Sequence, residues 1–176
     1  MNLKAQDIVV ALKLCVIGDR PWTYAQLAAD VSLSASEVNA AVKRLLRSGL
    51  LRSPVGQEAR PQPNRDAISE FLLHGLRFVF PVQPGAIVRG LPTSYAAAPL
   101  RDEFGPSDGP IPVWPWEHGQ VRGAAFSPLY PTVPEAAHKD IALYRALVVA
   151  DGLRDGSTRV RELAARQLAR SLVADG

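Results

Sequence analysis

The stretch at residues 27–51, LAADVSLSASEVNAAVKRLLRSGLL, decides how the N-terminal third of the chain folds. It contains two runs with apolar residues at helical spacing, separated by a serine-rich break. Ser34 precedes the second run and Glu37 follows three residues later, which is the spacing of a capping box. A helix is therefore predicted to begin after Ser34 and to run to about Ser48, where Gly49 supplies a left-handed stop.

Two more helices are predicted before this one. Residues 5–17 have apolar side chains along one stripe, and the segment from Gly18 to Pro21 ends the pattern. Thr23 is a natural N-cap for a short second helix over residues 24–30. The N-terminal part is therefore predicted to fold as three helices with a tight turn between the second and the third.

The predicted third helix has two unlike faces. Its packing face carries Val38, Val42, Leu45 and Leu46. Its opposite face carries, at spacings of three, four and four residues, Ser36, Asn39, Lys43 and Arg47. Asn pairs in bidentate fashion with adenine, and Lys reaches guanine or phosphate. Ser36, Asn39 and Lys43 are therefore the predicted contacts to base edges, unless this face is merely solvated, as on many amphipathic helices.

Contacts to the DNA backbone are predicted around this helix. The arginines assigned to phosphate are Arg44, Arg47 and Arg52. Thr23 and Tyr24, at the start of the second helix, are also predicted to contact phosphate. Ser34, the N-cap of the third helix, is a further predicted DNA contact.

The charge is distributed unevenly between the two parts of the chain. Residues 1–65 hold nine Lys and Arg against five Asp and Glu, which gives +4, whereas residues 66–176 carry −1. The basic excess lies in the N-terminal part, as expected if that part meets phosphate.

The segment TYAQLAADVSLSASEVNAAVKRLLRSGLL resembles the winged helix-turn-helix of MarR-like bacterial repressors. In that family the third helix enters the major groove of double-stranded DNA and the wing touches the minor groove or the backbone. The resemblance implies a strand at residues 50–52 leading into a wing, with Arg60 and Arg65 flanking it. The following SPVGQEARPQPN has little strand propensity, so a return strand there is expected to be only brief, and the wing is expected to be short or disordered.

Residues 66–176 are predicted to form a dimerisation or partner-binding region, distinct from a DNA-binding domain at residues 1–65. A helix at residues 66–80 is apolar on most sides, so it is expected to be buried, here or against a second subunit. Helices over residues 135–151 and 159–173 are predicted to form a hairpin, which is a second candidate dimer surface.

Residues 81–134 contain eleven of the fifteen prolines but keep aromatic residues, so they are predicted to be ordered and mostly irregular. Val-Arg-Gly occurs at residues 88–90 and again at 121–123, which favours short paired strands. Trp114 and Trp116 are candidate partner contacts. Aromatic residues in such a setting stack on single-stranded bases or clamp a loop on the core, and the scarcity of basic neighbours favours the clamp.

The C-terminal part has a second resemblance. The segments GLPTSYAAAPL, VRGAAFSPLYPTVPEAA and ALYRALVVADGLRDGSTRVRELAARQL are similar to bacterial winged-helix proteins found with nucleotidyltransferase-type toxins of abortive-infection systems. The similarity implies that the C-terminal part is a partner-binding or dimerising module, with a toxin-type protein as the candidate partner.

Several function classes are not favoured by the sequence. The sequence contains no run of about eighteen apolar residues, so no membrane span is predicted. The single cysteine, Cys15, suits a reducing cytoplasm. The three histidines are scattered, and no glycine-rich phosphate loop occurs, so no catalytic residue, metal or cofactor is predicted. The sequence predicts a mainly α protein with a small β wing. Its predicted function is a dimeric DNA-binding repressor, or alternatively an antitoxin or adaptor that binds a protein partner and autoregulates its operon.

Overall fold

The N-terminal third of the chain consists of three helices and a pair of short strands. A computed structural model describes residues 2–56 and 59–172. The elements are α1 (Ala5–Ile17), α2 (Tyr24–Asp30), α3 (Ala35–Arg47), β1 (Leu51–Arg52) and β2 (Gln62–Pro63). β1 and β2 pair antiparallel, so the brief return strand that was predicted is present. Gln57 and Glu58, in the predicted loop, lie outside the described residues.

α1 is buried on nearly all sides. Its apolar side chains from Ile8 to Leu14 are almost fully covered, and two charged residues, Asp7 and Lys13, are buried with them. Lys13 reaches Asp140 at 2.6 Å and Asp30 at 3.2 Å. α1 is thus the central helix of the fold and not a surface helix with one apolar stripe.

Helices α4 (Arg65–His74) and α5 (Leu76–Val79) follow β2. A single buried helix at residues 66–80 was predicted, and this prediction is wrong in two respects. The helix breaks at Gly75, and the side chains of Phe78 and Val79 are 68% and 51% exposed. Leu72 and Leu76 lie on the inner side, so only part of the apolar run enters the core.

The C-terminal helices are α7 (Val133–Lys139), α8 (Ile141–Arg154) and α9 (Thr158–Leu172), and a short helix, α6 (Leu100–Phe104), precedes them. The helix predicted over residues 135–151 is divided at Asp140. The carboxylate of Asp140 accepts hydrogen bonds from the backbone N–H groups of Ala142 and Leu143, so it starts a new helix. The predicted end of the last helix, Val173, lies outside the described residues.

Between α5 and α7, three strands form a small closed barrel: β3 (Pro84–Pro92), β4 (Pro112–Pro115) and β5 (Val121–Phe126). β3 pairs antiparallel with both others, and β4 pairs in parallel with β5. The predicted pairing of the two Val-Arg-Gly segments is confirmed, since Val88 lies opposite Gly123. This region was predicted to be mostly irregular, but it contains more β-strand than that prediction allows.

The glycines of the repeated motif allow this closure. A Cβ on Gly90 would lie 2.0 Å from the carbonyl oxygen of Trp114, and one on Gly123 would lie 2.1 Å from that of Ile111. Any other residue would force the strands apart at both positions.

A buried polar network joins the barrel to α8. Asp151 accepts hydrogen bonds from Trp114 Nε1 at 2.6 Å and from Thr93 Oγ1 at 2.7 Å, and it pairs with Arg154 at 2.7 Å. Arg154 also donates to the carbonyl oxygen of Phe80. The buried carboxylate is therefore supplied with donors on both oxygens, as a buried charge requires.

One hydrophobic core runs through both parts of the chain, from α1 and α3 to α8 and α9. The structure is mainly helical with a small β part, as predicted. Across the described ranges, no helix is both long and apolar enough to span a membrane.

Candidate nucleic-acid interface

The start of α3 is fixed by its own sequence. The hydroxyl of Ser34 accepts from the N–H of Glu37 at 3.2 Å, and the N–H of Ser34 donates to the Glu37 carboxylate at 2.8 Å. These two bonds form the predicted capping box. Hydrogen bonds from the backbone and the hydroxyl of Ser34 hold the pKa of Glu37 below its usual value. Ser34 thus has a structural role at the position where a DNA contact was also predicted.

The two faces of α3 are divided as the spacing predicts. Val38, Val42 and Leu45 are buried. Ser36, Lys43 and Arg47 are exposed, and Asn39 is half-buried beside them. Within the described ranges, none of these four polar side chains makes a side-chain hydrogen bond or an ion pair. The face therefore presents unused donors, two of them cationic, to solvent.

Arg44 does not belong to this face, and its assignment to phosphate is corrected. It is 8% exposed and forms a bidentate pair with the fully buried Asp7, with distances of 2.7 and 2.8 Å. One residue step turns the side chain by about 100° around a helix, so Arg44 points away from the face that Lys43 occupies. Asp7 also accepts from the backbone N–H of Lys4. The pair ties the beginning of α1 to α3.

Two further cations lie on or near the strand pair, and one of them contacts α2. Arg52 is exposed and donates to the Asn64 side chain at 3.2 Å. The guanidinium carbon of Arg60 lies 5.7 Å from the centre of the Tyr24 ring. Thr23 caps α2 by accepting from the N–H of Gln26 at 3.1 Å. The structure therefore places Arg60, which was predicted to flank the wing, beside Tyr24, which was predicted to contact the DNA backbone.

Arg65 flanks the strand pair as predicted, two residues after β2, but its side chain is not part of this group. It is half-buried and donates to the backbone carbonyl of Cys15 at 2.9 Å. Arg65 is the first residue of α4, and this hydrogen bond holds its side chain against the C-terminal end of α1.

Trp114 is also corrected as a partner contact. It is 0% exposed and donates its indole N–H to Asp151, so it belongs to the core, as the clamp interpretation predicts. Trp116 is half-buried in the loop after β4. Its ring centre lies 5.1 Å from that of His138 and 5.3 Å from that of His118.

A second group of residues, which no local sequence pattern predicts, contacts the turn before α3 and the first turn of that helix. Lys139 donates to the Ser32 hydroxyl at 2.8 Å, and Thr132 donates to the carbonyl of Val31 at 3.1 Å. Tyr130 donates to the Glu37 carboxylate at 3.2 Å. These partners lie about a hundred residues away along the chain, so only the tertiary fold places them together. They hold the start of α3 from outside, and Lys139, which also pairs with Glu135 at 3.0 Å, lies at its edge.

Among residues 2–56 and 59–172, no group of three His, Cys, Asp or Glu side chains lies close enough to hold a metal ion. The chain matches no protein-family model, and no curated protein and no solved structure is significantly similar to it.

Proposed function

We propose that this chain is a sequence-specific DNA-binding transcriptional regulator that acts as a dimeric repressor. The observation that carries the proposal is the outer face of α3. Asn39, Lys43 and Arg47 share one face and have no hydrogen-bond or ion-pair partner for their side chains among the described residues, while the inner face of the same helix is packed. Because the inner face of α3 is packed against the core, the backbone of this helix should lose little conformational freedom when its polar face binds DNA.

We further propose that residues 1–65 are a winged helix-turn-helix, because the order of three helices and two paired strands has the elements of that domain. α3 enters the major groove, where Asn39 pairs with adenine and Lys43 reaches guanine or phosphate. Arg47, Arg52 and Arg60 lie toward the backbone on either side. Repression follows from occupation of the operator.

The proposed dimer follows from the geometry of DNA recognition. One helix of this kind covers one half-site, and two half-sites lie about 34 Å apart on the duplex. The exposed apolar side chains of α5, Phe78 and Val79, are the candidate contacts between two copies. Light scattering should give the mass of two chains for the wild type and of one chain for Phe78→Glu. A wild-type monomer would remove the dimer from the proposal.

Selection from a random double-stranded DNA library tests the function. The wild type should enrich a sequence with two related half-sites, and its affinity should fall steeply as salt rises. Asn39→Ala should weaken binding by about 1–3 kcal/mol and relax preference at one base pair. Arg47→Ala should weaken binding to all sequences alike.

Arg166→Ala is the matched control, because Arg166 is an exposed arginine on α9, far along the chain from α3. It should leave both affinity and sequence preference unchanged. No enriched sequence, or equal binding by wild type and Asn39→Ala, would overturn the proposal.

A second candidate function is favoured by the same exposed apolar pair on α5. In this alternative, Phe78 and Val79 bind a different protein of the toxin type, and DNA binding serves autoregulation. Affinity purification from the native cell distinguishes the two, since only the antitoxin or adaptor brings down a stoichiometric second protein that Phe78→Glu releases.

A further inference from the structure

A cavity of about 380 Å³ lies between α1, α8 and α9. Its walls are mostly aliphatic and come from all three helices. They include Leu12, Val16, Ala146, Val149, Leu168 and Leu172. Its size and its apolar lining are typical of sites that bind a small organic molecule.

The charged residues that the structure describes at this cavity are of one sign. Arg65 and Arg145 line it, and no Asp or Glu from residues 2–56 or 59–172 does. Arg145 is exposed and makes no hydrogen bond or ion pair to any residue that the structure describes. Arg65 uses one terminal nitrogen on the Cys15 carbonyl, which leaves its other N–H donors for a ligand.

The polar side chains of Cys15 and Gln167, which also line the cavity, do not repel an anion. Burial raises the pKa of the Cys15 thiol to about 11, so it is uncharged at neutral pH. Gln167, on the rim, donates to Glu103, and this carboxylate is also paired with Arg170 at 2.8 Å. Asp140 also contacts a lining residue, since it accepts from the backbone N–H of Ala142, and it is paired with Lys13. Both of these carboxylates are therefore already partnered by a cation.

We propose that this cavity binds a small amphipathic carboxylate, such as a medium-chain fatty acid. The carboxylate is held by Arg145, with Arg65 as a second donor, because guanidinium groups bind carboxylates through paired, charge-assisted hydrogen bonds. The hydrocarbon part lies along the aliphatic walls. The inference goes beyond the proposed function and does not depend on it, since binding requires no DNA.

Calorimetric titration of the full chain with octanoate, without DNA, tests the proposal. Octanoate should bind at one saturable site, and octanamide, which has the same tail and no charge, should bind at least about tenfold more weakly. Arg145→Gln should weaken octanoate by a similar factor and leave octanamide unaffected. Arg166→Gln is the control, because it removes an exposed arginine from α9 that does not line the cavity.

A second variant, Ala146→Phe, fills the cavity and should abolish binding of both compounds; circular dichroism shows whether it folds. Arg145 is exposed, so Arg145→Gln is expected to fold and tests the site even if Ala146→Phe does not. Equal affinity for octanoate and octanamide, unchanged octanoate binding by Arg145→Gln, or no binding to the wild type would each overturn the proposal. None of these results bears on DNA recognition.

Discussion

Helices α1 and α3 have the same length, thirteen residues, but they use their charged side chains in opposite ways. In α1 both Asp7 and Lys13 are buried and paired inside the fold. In α3 only Arg44 is used in this way, whereas Lys43 and Arg47 have no ion-pair partner within the described residues. This difference shows that a charged residue on a helix can be taken as a candidate ligand contact only when it has no partner inside the fold.

The largest effect is expected at the pair that joins the two helices. Asp7→Ala leaves the Arg44 guanidinium buried without a partner and removes a cap from α1, so it should lower the free energy of unfolding by about 3–5 kcal/mol. Denaturant unfolding measures the loss. The double variant Asp7→Ala/Arg44→Leu removes both charges and should recover a large part of the lost free energy of unfolding. A loss of less than about 1 kcal/mol in the single variant would contradict the buried pair.

The two lysines provide a direct comparison between the helices. Lys13→Met removes the cation between Asp30 and Asp140, which are partly exposed, so a loss of about 1–2 kcal/mol is expected. Lys43→Met, on the open face of α3, should change stability by less than about 0.5 kcal/mol. Thermal unfolding of both variants measures the difference, and similar losses would show that Lys43 has an internal role.

The cap of α3 should contribute less than the buried pairs. Ser34→Ala removes the acceptor for the Glu37 N–H and should cost about 1 kcal/mol of stability. Chemical denaturation checks the value, with Ser36→Ala, two residues further on and exposed, as the control. A loss for Ser36→Ala equal to that for Ser34→Ala would argue against the cap.

The smallest effect concerns the pH dependence of the same cap. The pKa of Glu37 is depressed in the folded state, so its contribution to stability is present above the pKa of the unfolded chain and is lost as pH falls through the folded value. Glu37→Gln should therefore be less stable than the wild type at pH 7, with the difference shrinking below about pH 4. A difference that stays constant with pH would exclude the ionised cap.

Much of α1, α2 and α3 could be predicted because their ends are determined locally. Thr23, Ser34 and Gly49 mark the ends of helices within a few residues of sequence. The polar face of α3 was predictable for the same reason, since helical spacing alone determines which residues share a face.

The errors arose where contacts are distant in sequence. Arg44 is buried because Asp7 lies 37 residues earlier, and no local pattern contains that information. Asp140 divides a helix whose apolar periodicity continues past it, because its carboxylate caps the new turn and also meets Lys13. Phe78 looked like a core residue by composition, but the break at Gly75 turns it outward.

The closed barrel of β3, β4 and β5 has a consequence for how copies of this chain associate. An open sheet edge offers unpaired backbone groups on which a strand from another molecule can add, a common route to aggregation. Here each strand pairs with both others, and β1 and β2 span only two residues each. We therefore expect the proposed dimer to form through side-chain contacts, such as those of Phe78 and Val79, and not by addition of a strand to a sheet edge, so that single substitutions outside the strands should abolish it.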